Sequence, residues 1–284
     1  MRSILSLALV SIAATSCAGI RTATDGAPSH PQVESYNQVV SVSEVDWGKL
    51  NPALGDASPL AGTLWGDRNG TAATGFLAKF PGGFSSPPHI HNVTFRAVVI
   101  RGSIHNDDPD SAPMWMPAGS FWTQPKGEVH ITSAKGADNV ALFEIDQGPY
   151  LVRSPGEAFD DGERPVNVDA SNIVWVDAPG KLASASGVKV AYLWGSLQEG
   201  RSNGTFVKLP AGFTGRLHSH GSVFRAVVIK GRLQYGVADA KTLDPGSYFG
   251  SAGDSAHQIS AKAGEEGILY VRTNGGFDLE VGHE

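Results

Sequence analysis

The chain has 284 residues and a formal net charge of −6, enough for one large domain or two small ones with full hydrophobic cores. Its lysines and arginines are scattered, so no basic stripe exists to neutralise phosphates, which argues against nucleic acid as a partner. Thirty-five glycines and 17 prolines, without a collagen period or a low-complexity run, imply many turns between short strands and hence an all-β fold.

The N-terminus reads as a targeting segment. Arg2 precedes an apolar run from Ile4 to Ala14, too short to span a bilayer as a helix, and small residues follow it. That run leads to Cys17, the only cysteine, so no disulfide can form within the chain. Small residues directly before a lone cysteine resemble the lipobox of bacterial lipoproteins. Two outcomes stay open: a periplasmic or outer-membrane-anchored lipoprotein acylated at Cys17, or an exported soluble protein cut near Ser16. Contact with a membrane is expected only through that lipid. Residues 18–35 are polar and read as a flexible tether, so residues 1–35 stand outside the fold.

An internal repeat organises the remainder. Leu64-Trp65-Gly66 recurs as Leu193-Trp194-Gly195, and Phe95-Arg96-Ala97-Val98-Val99-Ile100 recurs unchanged as Phe224 to Ile229. Residues 64–102 align with 193–231 without a gap at an offset of 129 and share 17 identities. Further on the offset falls to 127, where Gly119-Ser120 matches Gly246-Ser247 and His130 matches His257. A unit of this size is a whole small domain rather than a solenoid repeat. The expected organisation is domain one at 36–152, a polar connector at 153–172 and domain two at 173–284. Within a unit, Thr74 to Phe80, Phe95 to Ile100 and Asn139 to Ile145 read as strands. Pro81-Gly82-Gly83, Pro117-Ala118-Gly119 and Pro125-Lys126-Gly127 read as turns, the spacing of a sandwich or small barrel.

Chemistry concentrates in histidines. His89-Ile90-His91 on a strand projects both imidazoles to one face. A third from another strand, His130, completes three nitrogen donors with open positions, the pattern of a catalytic rather than a closed structural metal site. His218, His220 and His257 repeat the pattern, so six of the nine histidines fall in it.

These residues resemble the cupin superfamily. Gly83, His89, His91 and Gly102 follow its first motif, as do Gly212, His218, His220 and Gly231; Pro125-Lys126-Gly127-Glu128-Val129-His130 follows its second. The second motif has decayed to Ala252-Gly253-Asp254-Ser255-Ala256-His257 in the second unit. The resemblance spans about residues 40–284 and implies two tandem jelly-roll barrels. It departs from the family where the glutamate ligand belongs, since Phe95 and Phe224 stand there. That leaves three-histidine sites like those of thiol and diketone-cleaving dioxygenases, holding a divalent first-row metal (Fe, Ni, Zn, Cu or Mn). An ion with three neutral ligands favours an anionic substrate or hydroxide. The implied function is oxygen-dependent cleavage of a small chelating molecule by a monomer or homodimer. The alternatives are a non-catalytic sensing cupin and a metal-assisted lyase or isomerase acting on sugar acids.

The two units are not equivalent. Glu128, Gln124 and Glu144 correspond to Ser255, Ser251 and Val271, which places the chemistry in the first unit. Strand parity puts Glu128 on the His130 face, as a general acid/base or a fourth ligand, unless it is a solvated carboxylate beside the turn. Gln124 joins it as a candidate polar group. Arg96 either anchors a substrate carboxylate or pairs structurally, as its twin Arg225 would. Glu144 is expected on an exposed strand face.

Overall fold

The computed structural model of the chain describes residues 37–178 and 187–282; the expected leader, Cys17 and the tether to residue 35 lie outside them. Among the described residues there are 22 strands, four short 3-10 segments and no α-helix. Each half folds as a jelly-roll barrel around its own core. In the first, the larger sheet runs in the order Val166–Val168, Phe121–Gln124, Phe95–Asp107, Ile131–Ile145, Thr74–Phe80, Leu60–Trp65, Trp47–Lys49. In the second, it runs Asn37–Val40, Tyr248–Ser251, Phe224–Lys230, Gly267–Thr273, Asn203–Leu209, Lys189–Gly195, Val176–Asp177.

The duplicated run Phe-Arg-Ala-Val-Val-Ile explains how the barrels join. An ordinary half-exposed strand alternates apolar with polar residues, whereas this one is apolar on both faces, the signature of burial on both sides. Phe95, Ala97 and Val99 point into the first barrel, and Phe224, Ala226 and Val228 into the second. Val98 and Ile100 from one half, with Val227 and Ile229 from the other, enter a single shared cluster between the two large sheets. Trp65, Leu77, Phe206, Tyr248 and Tyr270 complete it, so the described residues form one unit with three apolar layers.

The halves also exchange edge strands. Asn37–Val40 belongs in sequence to the first half but pairs with Tyr248–Ser251 of the second. The expected connector contributes Val166–Val168 to the first half's sheet, beside Phe121–Gln124, and Val152–Arg153 pairs with Ile90–His91. Short polar segments of this kind carry no periodic signal, but they satisfy sheet edges that would otherwise expose unpaired N–H and C=O groups. Two strands are longer than expected. Phe95–Asp107 and Ile131–Ile145 pair on either side of an interruption, where the register jumps from Arg101 opposite Val140 to Ser103 opposite Lys135 and residues 136–139 bulge out. His130 directly precedes the paired residues of the second strand and bridges His89.

Candidate metal centre

The mouth of the first barrel gathers His89, His91 and His130, one ring nitrogen from each lying within 4.8 Å of the others. All three are nearly sealed from solvent, at 9%, 2% and 1% exposure. His89 and His130 face one another across an antiparallel bridge, with both backbone N–H groups donating to the partner's carbonyl at 3.1 and 3.0 Å. His91 follows on the next inward position.

Every ring is locked through its other nitrogen. Nδ1–H of His89 donates to the Pro87 carbonyl at 2.9 Å, that of His91 to Leu151 at 3.0 Å and that of His130 to Glu128 at 3.2 Å. These bonds set the tautomer so that all three Nε2 atoms keep their lone pairs, the outer-shell arrangement that orients imidazoles toward a metal. Two Nε2 atoms, of His89 and His91, stand 3.2 Å apart, and Nε2 of His130 is buried with no hydrogen-bond partner. Nitrogens bonded to one ion at about 2.0–2.1 Å stand about 3.0–3.4 Å apart. The donor set therefore fits a divalent cation.

Electrostatics agree with that fit. Burial, then the proximity of His130 and His89, hold His91 well below the usual imidazole range. Burial likewise lowers His89, and burial with His89 brings His130 down to about 3. Neutral imidazole is the form that binds metal. Phe95 fills the place of a fourth protein ligand, its ring centroid 5.2 Å from that of His91.

Beside the histidines lies a cavity of about 400 Å³, within the size range of small-molecule sites. Its wall includes Phe76, Phe80, Phe84 and Phe143, and its polar groups include Arg68, Ser86, Thr132 and Tyr150. Tyr150 stacks on His91 with centroids 4.4 Å apart, and its hydroxyl stands 3.2 Å from His91 Nε2. Burial raises its pKa, only partly offset by the Arg68 charge, so it is a neutral phenol that can donate a hydrogen bond. Sequence reasoning missed Tyr150. No motif singled it out, because it lies in the irregular stretch after the strand Ile131–Ile145.

The second set of histidines does not converge. His218 bonds Glu280 at 3.2 Å and His220 bonds Asp278 at 2.9 Å on the outside of the barrel. His257 lies inside, between the Tyr235 hydroxyl at 2.9 Å and the Ser251 hydroxyl at 3.1 Å. The cause is a slip of one residue. In the second half Thr214 pairs with Ser260 and Leu217 with His257, three steps on each strand. In the first half Ser85 pairs with Ser133 and His89 with His130, four steps against three. The extra residue is a bulge at Pro87-Pro88, where neither nitrogen can donate to the ladder. Arg216-Leu217 occupies those positions in the second half, the ladder runs straight, and His218 and His220 turn to the opposite face from His257.

The three candidate polar residues also lie elsewhere; none lines the cavity. Glu128 was placed by strand parity, but residues 125–129 belong to no strand, with a turn at Lys126-Gly127, and pairing resumes only at His130, so parity does not reach Glu128. Its carboxyl is raised by burial and sits in the field of Arg164, Asp160, Asp161 and Asp108. Gln124 is buried in the barrel wall, accepting from Asn106 at 2.9 Å. Arg96 pairs with Asp146 at 2.9 Å and lies 3.8 Å over the Trp194 ring. Glu144, expected on an exposed face, is fully buried because its strand also faces the other half.

Two fused jelly-roll barrels with a three-imidazole group in one of them define a tandem cupin. The DUF4437 family, a domain of unknown function, matches residues 38–280, and the chain belongs to this family. No curated protein matches it in sequence. Among solved structures it is similar to a candidate dioxygenase from Nostoc punctiforme PCC 73102 (14% identity, 84% of this chain and 82% of that one, TM-score 0.66). It is also similar to salicylate 1,2-dioxygenase from Pseudoaminobacter salicylatoxidans in complex with gentisate (12% identity, 91% and 89%, TM-score 0.56). A third is Ylba from E. coli (13% identity, 84% and 90%, TM-score 0.56). At such identities the likeness establishes the shared fold.

Proposed function

We propose that the first barrel is the active half of a metal-dependent enzyme acting on a small molecule, with oxygenase-like cleavage of a chelating substrate as its reaction. The convergence of three Nε2 lone pairs, each fixed by a carbonyl on its far nitrogen, carries this reading. His89, His91 and His130 would hold a divalent first-row ion, which supplies Lewis-acid or redox chemistry. Protein groups do the rest. Aromatic walls exclude water and orient a flat substrate, and the Tyr150 hydroxyl is placed to donate a hydrogen bond at the rim of the nitrogen group. A neighbouring fold seen with gentisate supports a small aromatic or enolic chelator as the substrate class. The second barrel acts as scaffold, since its histidines are committed to other partners.

Metal analysis of the purified chain after reconstitution with Fe(II), Ni(II) or Zn(II), alongside oxygen uptake with chelating test substrates, tests the proposal. One equivalent per chain is expected, lost in His130→Ala and kept in His218→Ala. Two equivalents, or loss in His218→Ala, would overturn the assignment of the site. Turnover without oxygen uptake would replace the oxygenase with a lyase or isomerase.

A further inference from the structure

Arg68 is the one guanidinium on the cavity wall, and among the described residues no hydrogen bond or ion pair engages its side chain. The nearest carboxylate in sequence, Asp67, instead accepts the backbone N–H of Asn69 at 2.9 Å. The guanidinium carbon lies 5.4 Å from the centroid of Phe76. Its backbone carbonyl accepts the N–H of Tyr150 at 2.9 Å, and Tyr150 in turn reaches His91. The backbone of Arg68 is thus linked, through Tyr150, to the three-nitrogen group. Arginine stays charged in proteins, and a half-buried guanidinium with no hydrogen-bonded counter-ion, beside Phe76, Phe80 and Phe143, is a costly arrangement. Burial lowers the Arg68 pKa, opposed by the fields of Asp67 and Tyr150.

The internal repeat supplies an independent control. In the second half, where the histidines do not converge, Leu197 stands at the position of Arg68, Thr205 at that of Phe76 and Leu209 at that of Phe80. Arg68, Phe76, Phe80 and the convergent imidazoles occur together in one half and are replaced together in the other, although Phe213 keeps the ring of Phe84 there.

We propose that Arg68 anchors a carboxylate of the substrate, whose flat apolar body lies against Phe76, Phe80 and Phe143 and extends toward the histidines. A planar guanidinium can form two parallel hydrogen bonds to a carboxylate, which an ammonium cannot. The substrate class is therefore an aromatic or similarly flat monocarboxylate, within the space that a cavity of about 400 Å³ provides. This deepens the proposed function of the same site, but its test does not depend on turnover.

Benzoate and its uncharged isostere benzamide are titrated calorimetrically into metal-free and metal-loaded protein, with metal content measured separately. Benzoate should bind wild type about tenfold or more tighter than benzamide, and Arg68→Gln should remove about tenfold of benzoate affinity while leaving benzamide within about twofold. If Arg68→Gln does not fold, Arg68→Lys carries the test, with at least about threefold loss for benzoate and none for benzamide. Equal binding of the two probes to wild type, no binding of either at about 20 mM, or benzoate affinity indifferent to position 68 in a folded variant would each overturn the proposal. Benzoate binding that needs metal but not Arg68 would do the same, by assigning the carboxylate to the ion. Absence of metal with Arg68-dependent benzoate binding intact would instead sink the enzymatic reading and leave this one standing.

Discussion

Removing Arg272 should uncouple the two barrels. Arg272 comes from the second half and is 6% exposed, yet it reaches two carboxylates of the first, Asp146 at 2.7 Å and Glu144 at 3.3 Å. Burial works against its charge, but Glu144 and Asp146 outweigh it and raise its pKa. In Arg272→Met, Asp146 keeps Arg96 at 2.9 Å and remains half exposed. Glu144 is fully buried and keeps only the hydrogen bond donated by Tyr270. Leaving one partner of a buried pair uncompensated costs about 3–5 kcal/mol, a large share of the roughly 5–15 kcal/mol that holds a domain folded. Glu144→Gln added to the same chain removes the stranded charge and should recover more than half of the loss. Urea denaturation at pH 7.5, followed by tryptophan fluorescence and circular dichroism, measures both variants. A loss under about 1 kcal/mol for Arg272→Met, or no rescue by Glu144→Gln, would refute the view that this pair lies in a dry interface.

Two further outcomes concern the second barrel and the seam. His257 is fully buried, and burial, then the charge of His218, lower its pKa to about 4; its contribution to stability is present above the unfolded value of about 6.5 and is lost as pH falls toward 4. Replacing it with Gln should reduce the loss of unfolding free energy between pH 7 and 4.5 by up to about 2.5 kcal/mol, read from denaturation curves at the two pH values. Gly75 lies under the Trp65 indole and Gly204 under that of Trp194, with no room for a Cβ at either. Both tryptophans follow a register shift in the same strand of their repeat. Gly75→Ala should therefore destabilise by about 1–3 kcal/mol through overpacking, measured as a lower urea midpoint, and a neutral result would mean that the indole moves aside freely.

Much of the fold was legible because duplication doubles every signal. The repeated Phe-Arg-Ala-Val-Val-Ile run was legible as a strand; that it is buried on both faces, one per core, emerges only from the packing of the two sheets. His89, His91 and His130 were legible because a His-X-His pair on a strand points one way. What sequence could not convey was anything that depends on pairing register. The imidazoles of His218 and His220 have the same spacing as those of the first half, yet they face solvent, because facing is a property of two strands and not of one. Glu128 was lost in the same way, since pairing begins only at His130 and residues 128 and 129 lie outside any strand. Glu144 was misread because an isolated acidic residue on an alternating strand looks exposed until the partner sheet supplies Arg272 and Tyr270.

Pro87 and Pro88 are therefore the residues on which the metal centre turns, although neither offers it a ligand side chain. They add a fourth residue against three of the opposing strand, and only that insertion places His89, rather than Pro88, across from His130. Replacing them with the residues of the second half, Pro87→Arg with Pro88→Leu, keeps all three histidines and supplies the missing ladder N–H groups. With the bulge no longer enforced, the straight pairing seen at Thr214–Ser219 becomes available. His89 and His91 then turn outward together, and three nitrogens become one. Zinc or iron titration followed by equilibrium dialysis should show affinity reduced by about two orders of magnitude or more, beyond the 10–100-fold typical of losing an outer-shell partner. Circular dichroism and the urea midpoint should report a folded barrel. Wild-type affinity in the double variant would show that side-chain packing rather than backbone register holds the imidazoles together, since the two prolines would then be replaceable without consequence.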